Sequence, residues 1–177
     1  MDLRDLPTGD PQTVRRHLDN LHLQKDKYIS FPVLHLWGHH CHQKGFVKEL
    51  AVADVPDGFI KDIPNVRKFV SIDGGMSDNP RYALYQAEYS AAVANKSVED
   101  ACDVVTIAGK CCESGDLIQK DCRIQRAQTG DILAVFSTGA YNYSMASNYN
   151  KIPRPPIVII KGGEDYLAVQ RETYEDL

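Results

Sequence analysis

The sequence predicts a mainly β fold, an antiparallel β-barrel or sandwich carrying a few short helices. Three observations carry this expectation. From residue 59 onward the apolar residues come in short runs, the length of strands rather than of ordinary helices. Turn-forming residues interrupt those runs at Gly74-Gly75, Asn79-Pro80, Gly109, Thr129-Gly130-Asp131, Pro153 to Pro156 and Gly162-Gly163. Only Gly139 to Asn150 reads there as a clear helix, so helices decorate the strands rather than alternate with them.

The first 58 residues differ in kind. Asp10 and Pro11 form a helix start, and Val14, Leu18 and Leu21 then fall on one face. Phe31 to Gly38 is a candidate strand, followed by the cluster His39-His40-Cys41-His42. All six histidines lie at or before position 42. His35 and His39 would form a metal-binding pair on a helix, but Pro32 and Gly38 disfavour a helix there. No second Cys/His group follows at a recognised spacing, so no metal site is assigned and a solvated His-rich loop is the expectation.

Further along, Val66, Phe69, Val70 and Ile72 supply a strand that Gly74-Gly75 ends. Asn79-Pro80 is a turn that presents Arg81, with Tyr85 four residues on. Tyr85 to Asn95 is Ala-rich and ambiguous between helix and strand, with a strand over Tyr89–Ala94 the favoured expectation, and Ser97 to Ala101 reads as a polar connection. Val104 to Ala108 is a buried strand ended by Gly109, with Cys112, Glu113, Ser114, Gly115 and Asp116 directly after it. Ile124 to Ala127 is a weak segment, and Ile132 to Phe136 a buried strand. In the helix expected over Gly139–Asn150, Tyr143, Met145 and Tyr149 are expected to pack. Ile157–Lys161 and Tyr166–Arg171 flank a hairpin turn, and Glu172 to Leu177 could start a terminal helix.

Composition narrows the function. The chain has 177 residues, 43% of them apolar, enough for one domain with a real core. A net charge of −4 without a basic block argues against nucleic acid as a partner. No apolar run is long enough to span a membrane as a helix, and no secretory signal follows Met1. Five cysteines, two of them adjacent, make a poor disulfide framework and fit a cytoplasmic setting.

The most informative stretch is the loop after Gly109. A thiol beside a carboxylate, on a Gly-containing loop past a buried strand, is a common way to present reactive groups from a rigid support. The plain alternative is a surface turn with a half-buried cysteine. Four segments in order add specificity: Ser71-Ile-Asp-Gly-Gly-Met-Ser-Asp-Asn-Pro-Arg81, Cys112-Glu-Ser-Gly-Asp116, Ser137-Thr-Gly-Ala-Tyr141 and Ser144-Met-Ala-Ser-Asn-Tyr-Asn150. Together they resemble the C-terminal β-domain of the diaminopimelate decarboxylases, pyridoxal-phosphate enzymes of lysine biosynthesis with an alanine-racemase-like architecture. The resemblance covers residues 59–177. It leaves residues 1–58 as an unmatched extension, expected to pack poorly on the domain.

The resemblance implies roles for particular residues. Cys112 would be the proton donor; a free thiol titrates near about 8.5 and is largely protonated at neutral pH. Glu113 would bind the distal ammonium of meso-diaminopimelate. Arg81, a planar fork suited to carboxylates, would hold its distal carboxylate with help from Tyr85. Tyr141 would touch both pyridoxal 5′-phosphate and substrate. The family's Pro after the arginine is Tyr82 here, which is expected to loosen that loop. Related ornithine decarboxylases carry Asp after the cysteine, so Glu113 with Arg81 favours diaminopimelate. A homodimer with shared active sites is implied.

Other family features do not occur in the sequence. These are the Schiff-base lysine on a Tyr-Ala-Val-Lys-Ala-Asn motif, the barrel histidine and glycine-rich phosphate loop, and the Glu-Pro-Gly-Arg motif expected just before residue 59. The chain therefore reads as a C-terminal portion carrying half an active site, inactive alone. The alternative is a non-catalytic dimerisation or regulatory module of a related decarboxylase.

Overall fold

The computed structural model describes residues 33–37, 47–56, 60–139, 141–161 and 164–177; for residues 33–37, 47–50, 161 and 164 it defines the backbone alone. The helix expected after Asp10 and the cluster His39 to His42 lie outside the described residues.

Among the described residues, ten strands form two open sheets. Strands β1 (Val33–Trp37), β2 (Val47–Asp54), β5 (Ala91–Val93), β8 (Ile132–Phe136), β9 (Ile157–Lys161) and β10 (Glu164–Val169) make the larger one, in the order β10-β9-β1-β2-β8-β5. Strands β3 (Ile60–Ile63), β4 (Arg67–Ser71), β6 (Asp103–Ala108) and β7 (Leu117–Ile124) make the smaller one, in that order. Most neighbours are antiparallel, as expected. Two pairs, β1 with β9 and β4 with β6, are parallel. Among the described residues the α-helices are single turns: α1 (Arg81–Tyr85) and α2 (Asn142–Met145). No described helix is long and apolar enough to cross a membrane.

Alternation along the strands builds the core. Ala51, Ala53, Leu133, Val135, Ala91 and Val93 from the larger sheet meet Val70, Val105, Ile107, Ile118, Cys122 and Ile124 from the smaller one in a single buried cluster. The opposite face of the larger sheet buries Val52, Ile132, Ala134 and Val158 in a second, smaller cluster. The larger sheet is thus covered on both faces around β2 and β8.

Where two sheet ends meet, Asp73 joins them. Its N–H donates to Asp54 O at 3.1 Å, and its Oδ1 accepts from Asp54 N at 2.9 Å. Its neighbour Ile72 N donates to Ala108 O at 2.9 Å. Burial raises the Asp73 carboxyl to about 7, and the hydrogen bond from Asp54 N offsets only part of that. Its second oxygen is buried without a hydrogen-bond partner among the described residues, which suits the protonated form.

Several expectations change. Residues 47–54 belong to the sheet, with Ala51, Ala53 and Val55 nearly fully buried, so this part of the first 58 residues packs well on the domain. Phe31–Gly38 does contribute a strand, β1. The strand expected over Tyr89–Ala94 is cut to Ala91–Val93 and runs into a 3₁₀ turn. The helix expected over Gly139–Asn150 is cut to Asn142–Met145: Ala146 turns extended and Ser147 N donates to Ser77 O at 2.8 Å, which pulls the chain off the helical path. Tyr149, expected to pack, is exposed, whereas Tyr143 and Met145 are half-buried. The terminal helix is a single 3₁₀ turn, Tyr174–Asp176, closed by a reciprocal Thr173–Asp176 cap.

Two stability tests follow from this packing. Leu133→Ala empties a fully buried site between the sheets and should cost about 2–5 kcal/mol in urea unfolding. Val66→Ala, at a 72% exposed turn position, should stay within about 0.5 kcal/mol. The second test concerns pH. A carboxyl raised from 3.8 to about 7 on folding keeps its proton in the folded state where the unfolded chain has lost it. Its stabilising contribution is full below the unfolded value and is lost as pH rises through the window up to about 7. Glu172, lowered from 4.5 to about 2 by its hydrogen bonds with Arg154, contributes the opposite slope, complete by about pH 5. Between pH 5 and 7.5 the melting temperature should therefore fall, and Asp73→Asn should flatten that fall.

Candidate functional site

The site grows from three turns at the ends of buried strands. The first follows β4. Asp78 N and Asn79 N donate to Gly75 O at 2.9 and 3.0 Å, while Gly75 N donates to Asp78 Oδ2 at 3.0 Å, closing Gly75–Asn79 into a compact loop. Ser77, Asp78, Asn79 and Pro80 are all buried. Pro80 then caps α1, and Arg81 is its first residue. Tyr82, expected to loosen this segment, is instead buried at 7% exposure and anchors the turn. Gln86 ends it in the left-handed conformation, its N–H donating to Tyr82 O at 2.9 Å.

The second turn follows β6, and Asp116 is its centre. Asp116 is only 3% exposed. Its Oδ2 accepts from Cys111 N at 2.5 Å within its own loop. Its Oδ1 accepts from Met76 N at 2.5 Å in the loop after β4. The carboxyl group fills the space where Gly75 and Gly109 have no side chain: a Cβ on Gly75 would sit 2.8 Å from Asp116 Oδ2, and one on Gly109 would overlap it outright. Lys110 N donates to Gly74 O at 3.0 Å, a further tie between the two loops. Burial pushes the Asp116 carboxyl up, opposed by the amides of Cys111 and Met76. Burial also raises Asp78, to about 6, and the Cys111 thiol, which lies 3.7 Å from Ser77 Oγ. The cationic balance comes from Lys110 and from Arg171, which faces Asp73 and Asp78.

The third turn follows β8. Asn142, on α2, is buried, and its Oδ1 accepts from Tyr89 OH at 3.4 Å. Tyr141 precedes it and is 57% exposed. The chain then crosses back, and Cys112 N donates to Asn150 Oδ1 at 2.7 Å.

The predicted site residues fall into two groups. Arg81, Tyr85 and Tyr141 come together: the Arg81 guanidinium carbon lies 4.9 Å from the Tyr141 ring centre and 5.9 Å from that of Tyr85. Cys112 and Glu113 sit side by side on the Asp116 loop, both exposed. Glu113 Oε1 accepts from Gly115 N at 3.0 Å and Ser114 Oγ at 3.2 Å, which holds its carboxyl below the usual range. Its hydrogen bonds are thus local, and the structure brings it into no contact with Arg81. Asp116 and Asn150 stand inside the quoted motifs, but nothing local in the sequence gives them their roles; Asp next to a Gly-containing turn is the one signal for amide capping.

Among the described residues no group of three or more His, Cys, Asp or Glu could hold a metal, and the four described cysteines are free thiols. The site fits one edge of a planar anionic aromatic cofactor: the exposed Tyr141 ring offers a flat face beside the Arg81 cation.

Comparison with known proteins gives the family. The family model for the pyridoxal-dependent decarboxylase C-terminal sheet domain matches residues 46–139. The chain is 58% identical over 120 residues to a diaminopimelate decarboxylase of Halalkalibacterium halodurans, covering 68% of this chain and 27% of that protein. It is 57% identical over 120 residues to that of Bacillus subtilis, with the same shares covered. A crystal structure of the diaminopimelate decarboxylase of M. jannaschii in complex with L-lysine aligns with a TM-score of 0.66 and 39% identity, covering 72% of this chain and 28% of that one. The chain spans about a quarter of the length of these relatives. With residues 46–139 of its 177 inside the family model, the chain belongs to the pyridoxal-dependent decarboxylases and carries their C-terminal sheet domain.

Proposed function

We propose that this chain supplies the sheet-domain half of a diaminopimelate decarboxylase active site, for conversion of meso-diaminopimelate to L-lysine and carbon dioxide. One observation carries the proposal: in a chain of this family, the Arg81–Tyr85–Tyr141 group and the exposed Cys112–Glu113 pair stand on loops that hydrogen bonds hold to one another, a fixed rim able to serve two neighbouring sites. The L-lysine in the related M. jannaschii complex is the product this reaction would release.

The residues divide the work. Arg81 offers a planar, permanently charged fork to the distal carboxylate, with the Tyr85 and Tyr141 rings beside it. Glu113, kept ionised by the Gly115 N–H and the Ser114 hydroxyl, faces the distal ammonium. The Cys112 thiol returns a proton to the carbon that loses carbon dioxide. Pyridoxal 5′-phosphate, when bound, supplies the electron sink for that loss. Tyr141 would touch one edge of it. The anchoring lysine would come from a barrel domain outside this chain, since the sequence holds no motif of that type. Cys112 and Glu113 are exposed, so we assign them to completing the site of a second subunit in a homodimer. A biosynthetic role of this kind is cytoplasmic. We set the N-terminal edge of the family-matched part near residue 46, one residue before β2, rather than at 59; β1, which precedes that edge, still pairs with β2 and β9 in the larger sheet.

The test joins the chain to a barrel domain of the family that carries the lysine. Glu113→Gln keeps shape but removes the charge that a desolvated ammonium needs, so kcat/KM should fall by about two to three orders of magnitude. Cys112→Ala should lower kcat, or misdirect the proton, while changing KM much less. Equal, mild losses in both would make the loop structural and favour the non-catalytic module instead.

A further inference from the structure

Two consecutive amides at the candidate proton donor are held from different parts of the chain. Cys111 N donates to Asp116 Oδ2, five residues on. Cys112 N donates to Asn150 Oδ1, 38 residues on. Fixing two successive N–H vectors fixes the peptide plane between them. Glu113 N donates to Cys111 O at 2.8 Å, which sets the following peptide plane, and the two planes together fix the backbone dihedrals of Cys112 and the direction in which its Cα–Cβ bond leaves the backbone.

The acceptor at Asn150 is itself well supported. Asn150 adopts φ 56°, ψ 20°, a left-handed conformation that Asn tolerates better than most residues, and Lys151 follows at φ 60°. Two residues before it, Asn148 Nδ2 donates to Glu172 Oε2 at 2.7 Å and to Ile152 O at 3.1 Å. Glu172 is gripped in turn by the Arg154 guanidinium and accepts from Arg154 N at 2.7 Å. On the far side, Ser147 N donates to Ser77 O. The Cys112–Asn150 bond lies at an exposed position, where water could satisfy the amide equally well. A merely structural need would not call for a left-handed Asn braced from both sides.

We propose that Asn150, acting with Asp116, is a positioning residue that orients Cys112 and Glu113. It acts through the Cys112 amide and touches neither substrate nor cofactor. The relevance to decarboxylation rests on the reading of Cys112 as proton donor, but the positioning itself can be measured without activity.

The experiment uses the full chain with Asn150→Gly and Asn150→Asp. Glycine enters the left-handed conformation without strain, so Asn150→Gly removes the acceptor alone. Asn150→Asp keeps an acceptor oxygen in place. Hydrogen exchange at the Cys112 amide and the pH profile of Cys112 alkylation by iodoacetamide, resolved by peptide mass, are the readouts. For Asn150→Gly, exchange at Cys112 should accelerate by about tenfold and the alkylation profile should change, with the melting temperature nearly unaltered. Asn150→Asp should restore slow exchange. Wild-type exchange and alkylation in Asn150→Gly would overturn the proposal, as would equal acceleration in both variants. Undiminished turnover of Cys112→Ala in the joined enzyme would instead defeat the proton-donor reading and leave the exchange result standing.

Discussion

The buried carboxyl group of Asp116 is the constraint on which the functional end of this domain depends. It has two oxygens and gives one to each loop, Cys111 N on its own and Met76 N on the other. Removing it would leave two N–H donors without partners, at a cost of about 1–3 kcal/mol for each that is buried. Two glycines, Gly75 and Gly109, exist to admit it, since a side chain at either would collide with its oxygens. The loop that leads to Arg81 and the loop that bears Cys112 are therefore one body. Both hang from adjacent parallel strands, β4 and β6, so the pairing that builds the smaller sheet also sets the spacing of the site.

Rigidity below and exposure above suit a shared active site. Ile72, Ile107 and Ile118 beneath the loops are fully buried, whereas Tyr85 and Tyr141 expose more than half of their surface. Polar tips on a packed base can meet a second body without first having to fold. The Arg81–Tyr141 stack keeps the guanidinium oriented while leaving its donors for a carboxylate.

Much of the fold is legible in the sequence, and the exceptions have physical causes. Strands β6, β8 and β9 read directly, because short apolar runs stand between turn residues, whereas β10 spans Glu164–Val169 rather than the expected Tyr166–Arg171, since Glu164 and Asp165 pair with β9 instead of turning. Strand β7 is not legible in the sequence: Gln119, Lys120 and Asp121 interrupt its apolar positions, and Asp121 at φ 51° breaks the alternation. Strand β2 is hidden for the opposite reason. Ala51, Val52 and Ala53 are buried on both faces, which erases the period of two. Among site residues, Arg81, Tyr85, Cys112, Glu113 and Tyr141 could be named from motifs. Asp116 and Asn150 stood in the same motifs without a role, because their partners lie 40 and 38 residues away and only folding makes those pairs.

The central claim is that one carboxyl group joins the two loops, and the most direct measurement is the pair of amide proton shifts at Met76 and Cys111 by NMR. Short hydrogen bonds to a buried carboxyl place both protons downfield, and Asp116→Asn, with one acceptor oxygen in place of two, should move at least one of them sharply upfield while Ile107 and Leu133 stay put. If both shifts survive the substitution unchanged, Asp116 does not join the loops, and the site is held together by something else.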